Sequence, residues 1–179
     1  MKNIILIPMI FIASISCKAQ TIYDVSTPPE VRTNRSNYYM KDINNHNDAF
    51  VGVWRWEDGA NSFEITLQEF EMYSDPISPN IYRDAIYGKY TYIENNVVIS
   101  QTTSIGTFVD SKLYLVYKSP TIYSVVINDV VSNDYKGGTF TLLNANTAVL
   151  ELKDVPGIRL DNQTNGEFSL PTNVIMVKQ

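Results

Sequence analysis

His46 is the only histidine in the chain and Cys17 the only cysteine, so chemistry that needs an imidazole or a thiolate has one candidate residue for each. A Ser-His-Asp or Cys-His arrangement would have to use His46, and the surrounding Asn-rich text (Ile43 to Phe50, INNHNDAF) holds no nucleophile signature such as G-x-S-x-G. His46 reads as a surface-loop residue. With one histidine and no second cysteine, a tetrahedral zinc site lacks its usual ligands. Asn128-Asp129 and Asn133-Asp134 bracket a loop and offer oxygens to a hard cation, but they do not follow the EF-hand pattern. They read as a solvated turn. Glycoside hydrolysis needs two carboxylates facing each other across a cleft. Glu57, Glu64, Glu69, Glu71 and Glu94 lie in or beside strand-like runs, and alternation singles out no pair. Glu64 falls out of phase with Phe63 and Ile65, which sends it to solvent. Gly137-Gly138 lacks the Lys-Ser/Thr of a phosphate loop and reads as a turn or bulge. The expectation is a protein with no catalytic set, no metal and no cofactor.

The aromatic residues are the remaining chemistry. There are 12 tyrosines and 2 tryptophans. Rings stack on sugars and pack against apolar ligands or partner proteins. Trp56, Tyr87, Tyr90 and Tyr92 are the candidate ligand-binding residues, and Tyr87 and Tyr90 alternate onto opposite faces of their strand. The competing reading is that the rings fill or cover the domain, as strand propensity alone would have them do.

Those residues are set on β structure. Phe50 to Glu57 reads as a first strand, turned by Asp58-Gly59 into Ser62 to Met72, where the apolar phase slips and predicts a bulge near Gln68-Glu69. Further runs cover Ala85 to Glu94, Val97 to Gln101, Lys112 to Lys118, Ile122 to Asn128, Thr139 to Leu143, Thr147 to Leu152 and Val174 to Val177, most joined by tight turns. No segment sustains a 3.6-residue period. The fold class is all-β, an antiparallel meander of about 8–9 strands, with a small lipocalin-like barrel as the leading architecture because closure removes the sheet edges. A two-layer β-sandwich is the alternative.

Ahead of this domain, Met1-Lys2-Asn3 is a short positive start, and Ile4 to Ile15 is an apolar run that ends among small residues. The run falls short of the about 20 residues that span a bilayer. It has the layout of a secretion signal. Ser14-Ile15-Ser16-Cys17 resembles a lipobox, which makes residues 1–16 a signal peptide and Cys17 the lipidated residue. Cleavage before Gln20, giving a soluble secreted domain, is the alternative. Residues 17–47 then read as a lipidated N-terminus and flexible tether, with Tyr38-Tyr39-Met40 able to dock, and 48–179 as a single β domain. Removing residues 1–16 takes away Lys2 alone among the charged residues, leaving 13 basic and 19 acidic groups. That balance argues against nucleic acid and against electrostatic binding to anionic lipid.

Phe50-Val51-Gly52-Val53-Trp54 resembles the G-x-W start of lipocalin-like barrels, in which the tryptophan plugs one end; Gly52 and Trp54 are the structural pair. Tyr39 to Asn45 (YMKDINN), Phe50 to Trp54 and Phe168 to Asn173 (FSLPTN) running into Lys178-Gln179 together resemble an uncharacterised family, a domain of unknown function, of secreted proteins and lipoproteins from Bacteroidota. The resemblance implies export and one β domain, and it brings no catalytic residue. The functional expectation is a non-catalytic module, exported to the outer membrane or periplasm. It would be held to the membrane by its lipid anchor and bind a small apolar or sugar ligand or an envelope protein. A purely structural envelope protein is one alternative, and a carboxylate-dependent glycosidase or lyase is another.

Overall fold

The computed structural model describes residues 20–28, 38–74, 80–106, 111–155 and 167–179. Their strands are β1 (Thr21–Asp24), β2 (Tyr38–Lys41), β3 (Gly52–Asp58), β4 (Asn61–Ser74), β5 (Ile81–Glu94), β6 (Val97–Gln101), β7 (Leu113–Ser119), β8 (Ile122–Asp129), β9 (Asp134–Asn144), β10 (Thr147–Asp154) and β11 (Asn173–Lys178). A single 3-10 turn, Asn47–Ala49, precedes β3. Turn chemistry sets the hairpins. Gly59 (φ 60°) turns β3 into β4, and Asn95 and Asn96 (φ 51° and 63°) turn β5 into β6, both positions that favour Gly or Asn.

Eight strands close on themselves through antiparallel pairs, in the order β5-β4-β3-β11-β10-β9-β8-β7 and back to β5. The all-β expectation holds, and the closure makes it a barrel and not a sandwich. One edge of the long strand β5 carries β4. The other carries β2 at Ile81–Arg83, β7 at Ile86–Gly88 and β6 at Thr91–Glu94. Strands β6 and β7 follow each other along this edge: Gln101 pairs with Thr91, the Thr102 N–H reaches the Tyr90 carbonyl, and Leu113 pairs with Gly88. Pairing along this line ends at Thr102 and resumes at Leu113. Gly88 sits at this junction, where a Cβ would come within 2.7–2.8 Å of Leu113, Leu67 and the Thr66 carbonyl.

The structure corrects two expectations. The bulge in β4 lies between Phe70 and Tyr73, further on than Gln68-Glu69. Met72 takes φ 50° there because its N–H turns inward to the Asp84 carboxylate. Residues 38–47, expected in the flexible tether, belong to the domain. Strand β2 runs parallel to β5, β1 runs parallel to β2, and both add to the barrel wall as a strap. Tyr39 carries the docking: it is buried and donates to Asp84.

The interior is filled. Phe50, Trp54, Phe63, Tyr90, Tyr123 and Phe140 all have 0–1 % of their surface open, so no water-sized void touches them. Their rings interlock, Phe50 with Tyr123 at 4.0 Å, Trp54 edge-on to Phe140 at 5.2 Å and Phe63 with Tyr90 at 6.1 Å. An eight-stranded barrel is just wide enough for side chains to fill it. Trp54 closes the end where β3 begins. Its indole N–H donates to the Phe50 carbonyl at 2.7 Å, and Lys178 Nζ lies 5.4 Å above its ring while donating to the Ala49 carbonyl. Gly52 (φ +127°) leaves room for this lysine: a Cβ there would stand 3.0 Å from Lys178 Cε. The G-x-W spacing thus puts a gap and a ring under one cation.

Candidate functional site

The β3 end of the barrel holds a linked set of polar groups, with Asp42, Asn47 and Asp84 buried and Glu69 half-buried. In β4, Leu67 faces inward, and two residues on, the same phase brings Glu69; in β5, Asp84 takes the inward phase two residues before Ile86. Both carboxylates therefore stand inside the wall. Asp84 accepts the Tyr39 hydroxyl, the Asp42 N–H at 2.8 Å and the Met72 N–H at 3.0 Å. Asp42 in turn accepts the Asn47 N–H at 2.6 Å. The Asn47 amide donates to Glu69 Oε1 and accepts from the Tyr123 hydroxyl, each at 2.6 Å. Within this set, Asp42 Oδ1 is buried without a hydrogen-bond partner. His46 lies beside this network, its ring 5.2 Å from Tyr117.

The electrostatics follow from that crowding. Burial pushes the Glu69 carboxyl above the usual range, and the charges of Asp84, Asp42 and Asp48 add to it, while the Asn47 hydrogen bond pulls the other way. Tyr39 is raised by burial and by its bond to the Asp84 carboxylate. Tyr123 is raised by burial and then by Asp42. A carboxyl whose proton affinity is raised has the electrostatics of a general acid. Four hydrogen bonds of the network, however, tie residues 39–47 to the barrel, through Tyr39, the Asp42 N–H and both ends of the Asn47 amide, which is the work of a plug.

A second polar knot closes the other end. Asp129 is fully buried, accepting from Ser100 Oγ, Ser132 Oγ, the Val131 N–H, and both the N–H and hydroxyl of Ser169, at 2.8–3.1 Å. Burial pushes its carboxyl up, but the bonds from Ser169, Val131 and Ser132 outweigh this and hold it below the usual range. Tyr90 completes the knot: its hydroxyl donates to the Asn128 carbonyl at 2.8 Å and accepts the Val130 N–H at 3.0 Å. Asp129, expected in a solvated turn, is instead the centre of the closure, and no group of three or more His, Cys, Asp or Glu among the described residues is placed to hold a metal.

A family model covers residues 1–179, and its description is a family of unknown function (DUF6705). The chain belongs to this family. No curated protein and no solved structure matches it. The family brings no activity, so its chemistry rests on the geometry above.

The four ring residues expected to bind a ligand do not share a surface in this family member. Tyr90 and Tyr92 face inward, and Trp56 packs partly buried on the same core, with Phe63 between Trp56 and Tyr92 in the sheet. Tyr87 points outward and is covered by Phe70 and Tyr73, at 5.6 and 5.4 Å between ring centres. Cys17 and the expected signal peptide lie outside the described residues. Asp42, Asn47 and Asp84 were not singled out from sequence. A signal existed for Glu69 and Asp84, since each carboxylate sits in the apolar phase of its strand.

Proposed function

We propose that the chain is exported, held on an envelope membrane through lipid on Cys17, and acts without catalysis by offering the outer wall of its barrel to a partner protein. The close packing of the described core residues carries this reading, because a module whose interior is taken up by its own side chains meets other molecules with its surface. The wall over β9, β10 and β11 offers the apolar area: Leu143, Ile175 and Val177 are about half exposed or more, and Ile175, Val149 and Thr141 stand side by side in register. Two measurements test it. Fatty-acid labelling must mark the wild type and spare Cys17→Ala. A photo-crosslinker at Ile175, in native membranes, must trap one defined protein, while the same probe at Glu57 traps none. Absence of a specific adduct at Ile175 defeats the partner reading.

A second reading, a carboxylate-dependent glycosidase or lyase, draws on Glu69 standing beside Asp84 and Asp42 with its proton affinity raised. It requires hydrolysis or elimination on envelope polysaccharides that Glu69→Gln abolishes with the fold intact.

A further inference from the structure

Resting on the anchored reading above, we propose that the strap and the end of the β4–β5 hairpin form a membrane-resting face, which seats the barrel on the bilayer interface beside its anchor. Register defines the face. Thr21, Tyr38 and Ile81 are lateral neighbours, as are Tyr23, Met40, Arg83 and Tyr73, so their side chains leave the sheet on one side. That side is the outer one, because Tyr39 and Asp84, which alternate with these positions, meet on the inside. Tyr23 and Tyr38 pack edge to face at 5.8 Å, and Tyr73 continues into Phe70 and Tyr87. The result is a four-stranded sheet surface of half-buried Tyr23, Tyr38 and Tyr73 with Met40, Ile81 and Arg83 between them. Tyrosine pairs an apolar ring with a hydrogen-bonding tip and favours the level of lipid headgroups.

The occupant is fixed by the length of chain. Cys17 precedes the first residue of β1 by four positions. Four extended residues reach at most about 14 Å. Three strand spacings, the width from β1 to β4, also come to about 14 Å. With the strap docked, lipid on Cys17 therefore holds this face within its own width of the membrane. Without the strap, the thirty residues from Cys17 to Asn47 would let the barrel move off by up to about 100 Å. Docking of β1 and β2 is what sets the standing of the barrel on the membrane.

The lipidated protein in phosphatidylethanolamine–phosphatidylglycerol vesicles with brominated acyl chains tests this. Tyr38→Trp places a reporter on the face, and Tyr23→Trp is the second reporter should the first disturb the fold. Val97→Trp is the control at the far end of β5, about 40 Å away along the strand. The emission added to that of Trp54 and Trp56 should be quenched several-fold more at 38 than at 97. Replacing Tyr23 and Tyr73 by Thr should remove the difference. Equal quenching at both positions in a protein that carries lipid on Cys17 overturns the inference and leaves the anchor standing. Shielding of the Trp at 38 from acrylamide without bromine quenching overturns it in favour of a protein on the face. A Cys17 without lipid overturns the anchored reading and this inference together.

Discussion

At the residue scale, the buried Asp129 and the half-buried Glu69, at opposite ends of the barrel, have opposite linkage to pH. Asp129 has its carboxyl lowered in the fold, so its stabilisation is present above the unfolded value of 3.8 and is lost as the pH falls through its folded value. Asp129→Asn strips the charge from five hydrogen bonds and leaves donors poorly matched. It should cost about 2–5 kcal/mol near neutrality by urea unfolding, a gap that narrows in acid where the wild type also protonates. Glu69 has its carboxyl raised above 4.5, so its contribution is present below that value and is lost as the pH rises through the folded value. Glu69→Gln keeps the acceptor for Asn47 and removes a charge facing Asp84, Asp42 and Asp48. Its melting temperature should exceed that of the wild type at neutral pH, and the advantage should vanish as the pH falls through the carboxylate range.

At the scale of elements, the strap is joined to the rest by short parallel pairings. Among the described residues β1 pairs with β2 alone, and β2 meets β5 over three residues, both in the parallel pattern, which is slightly the weaker per residue. Asp84 joins three elements at once: Tyr39 in β2, Asp42 after it, and the bulge at Met72. Tyr39→Phe removes one of these bonds and should release the strap at a cost of about 1 kcal/mol. Asp84→Asn should release it further. Amide exchange in 21–24 and 38–41 should then quicken while Phe63 to Leu67 and Val125 to Ile127 stay protected. Equal quickening in the barrel strands would mean that strap and barrel unfold as one unit.

At the scale of the molecule, closure and filling work together. The ring of eight strands has no free edge of its own, and among the described residues the interior holds the rings of Phe50, Trp54, Phe63, Tyr90, Tyr92, Tyr123 and Phe140 with aliphatic residues around them. An apolar fluorescent probe should therefore gain no emission on mixing with the folded domain. Trp54→Ala, which opens the packing beneath Lys178, should cost about 3–5 kcal/mol and admit the probe. Probe binding by the wild type would return the interior to consideration as a ligand site.

Much of this was legible in the sequence because it is local. Alternation placed Phe63, Ile65 and Leu67 on one buried face, Asp-Gly and Asn-Asn located two of the turns, and the return of Tyr87 and Tyr90 on opposite faces followed from the two-residue period. The same period held the inward phase of Glu69 and Asp84, but phase alone does not say what a carboxylate meets. Two of the partners of Asp84 lie 42 and 45 residues away, those of Asp129 up to 40, and the bond from Tyr123 to Asn47 spans 76. Only the closed sheet brings these together, since register across strands, and not order along the chain, decides which side chains meet. The sequence alone therefore determined the class of structure and its turns. The tertiary structure decided the sealed ends of the barrel, the docking of the strap, and the outward turn of the tyrosine face.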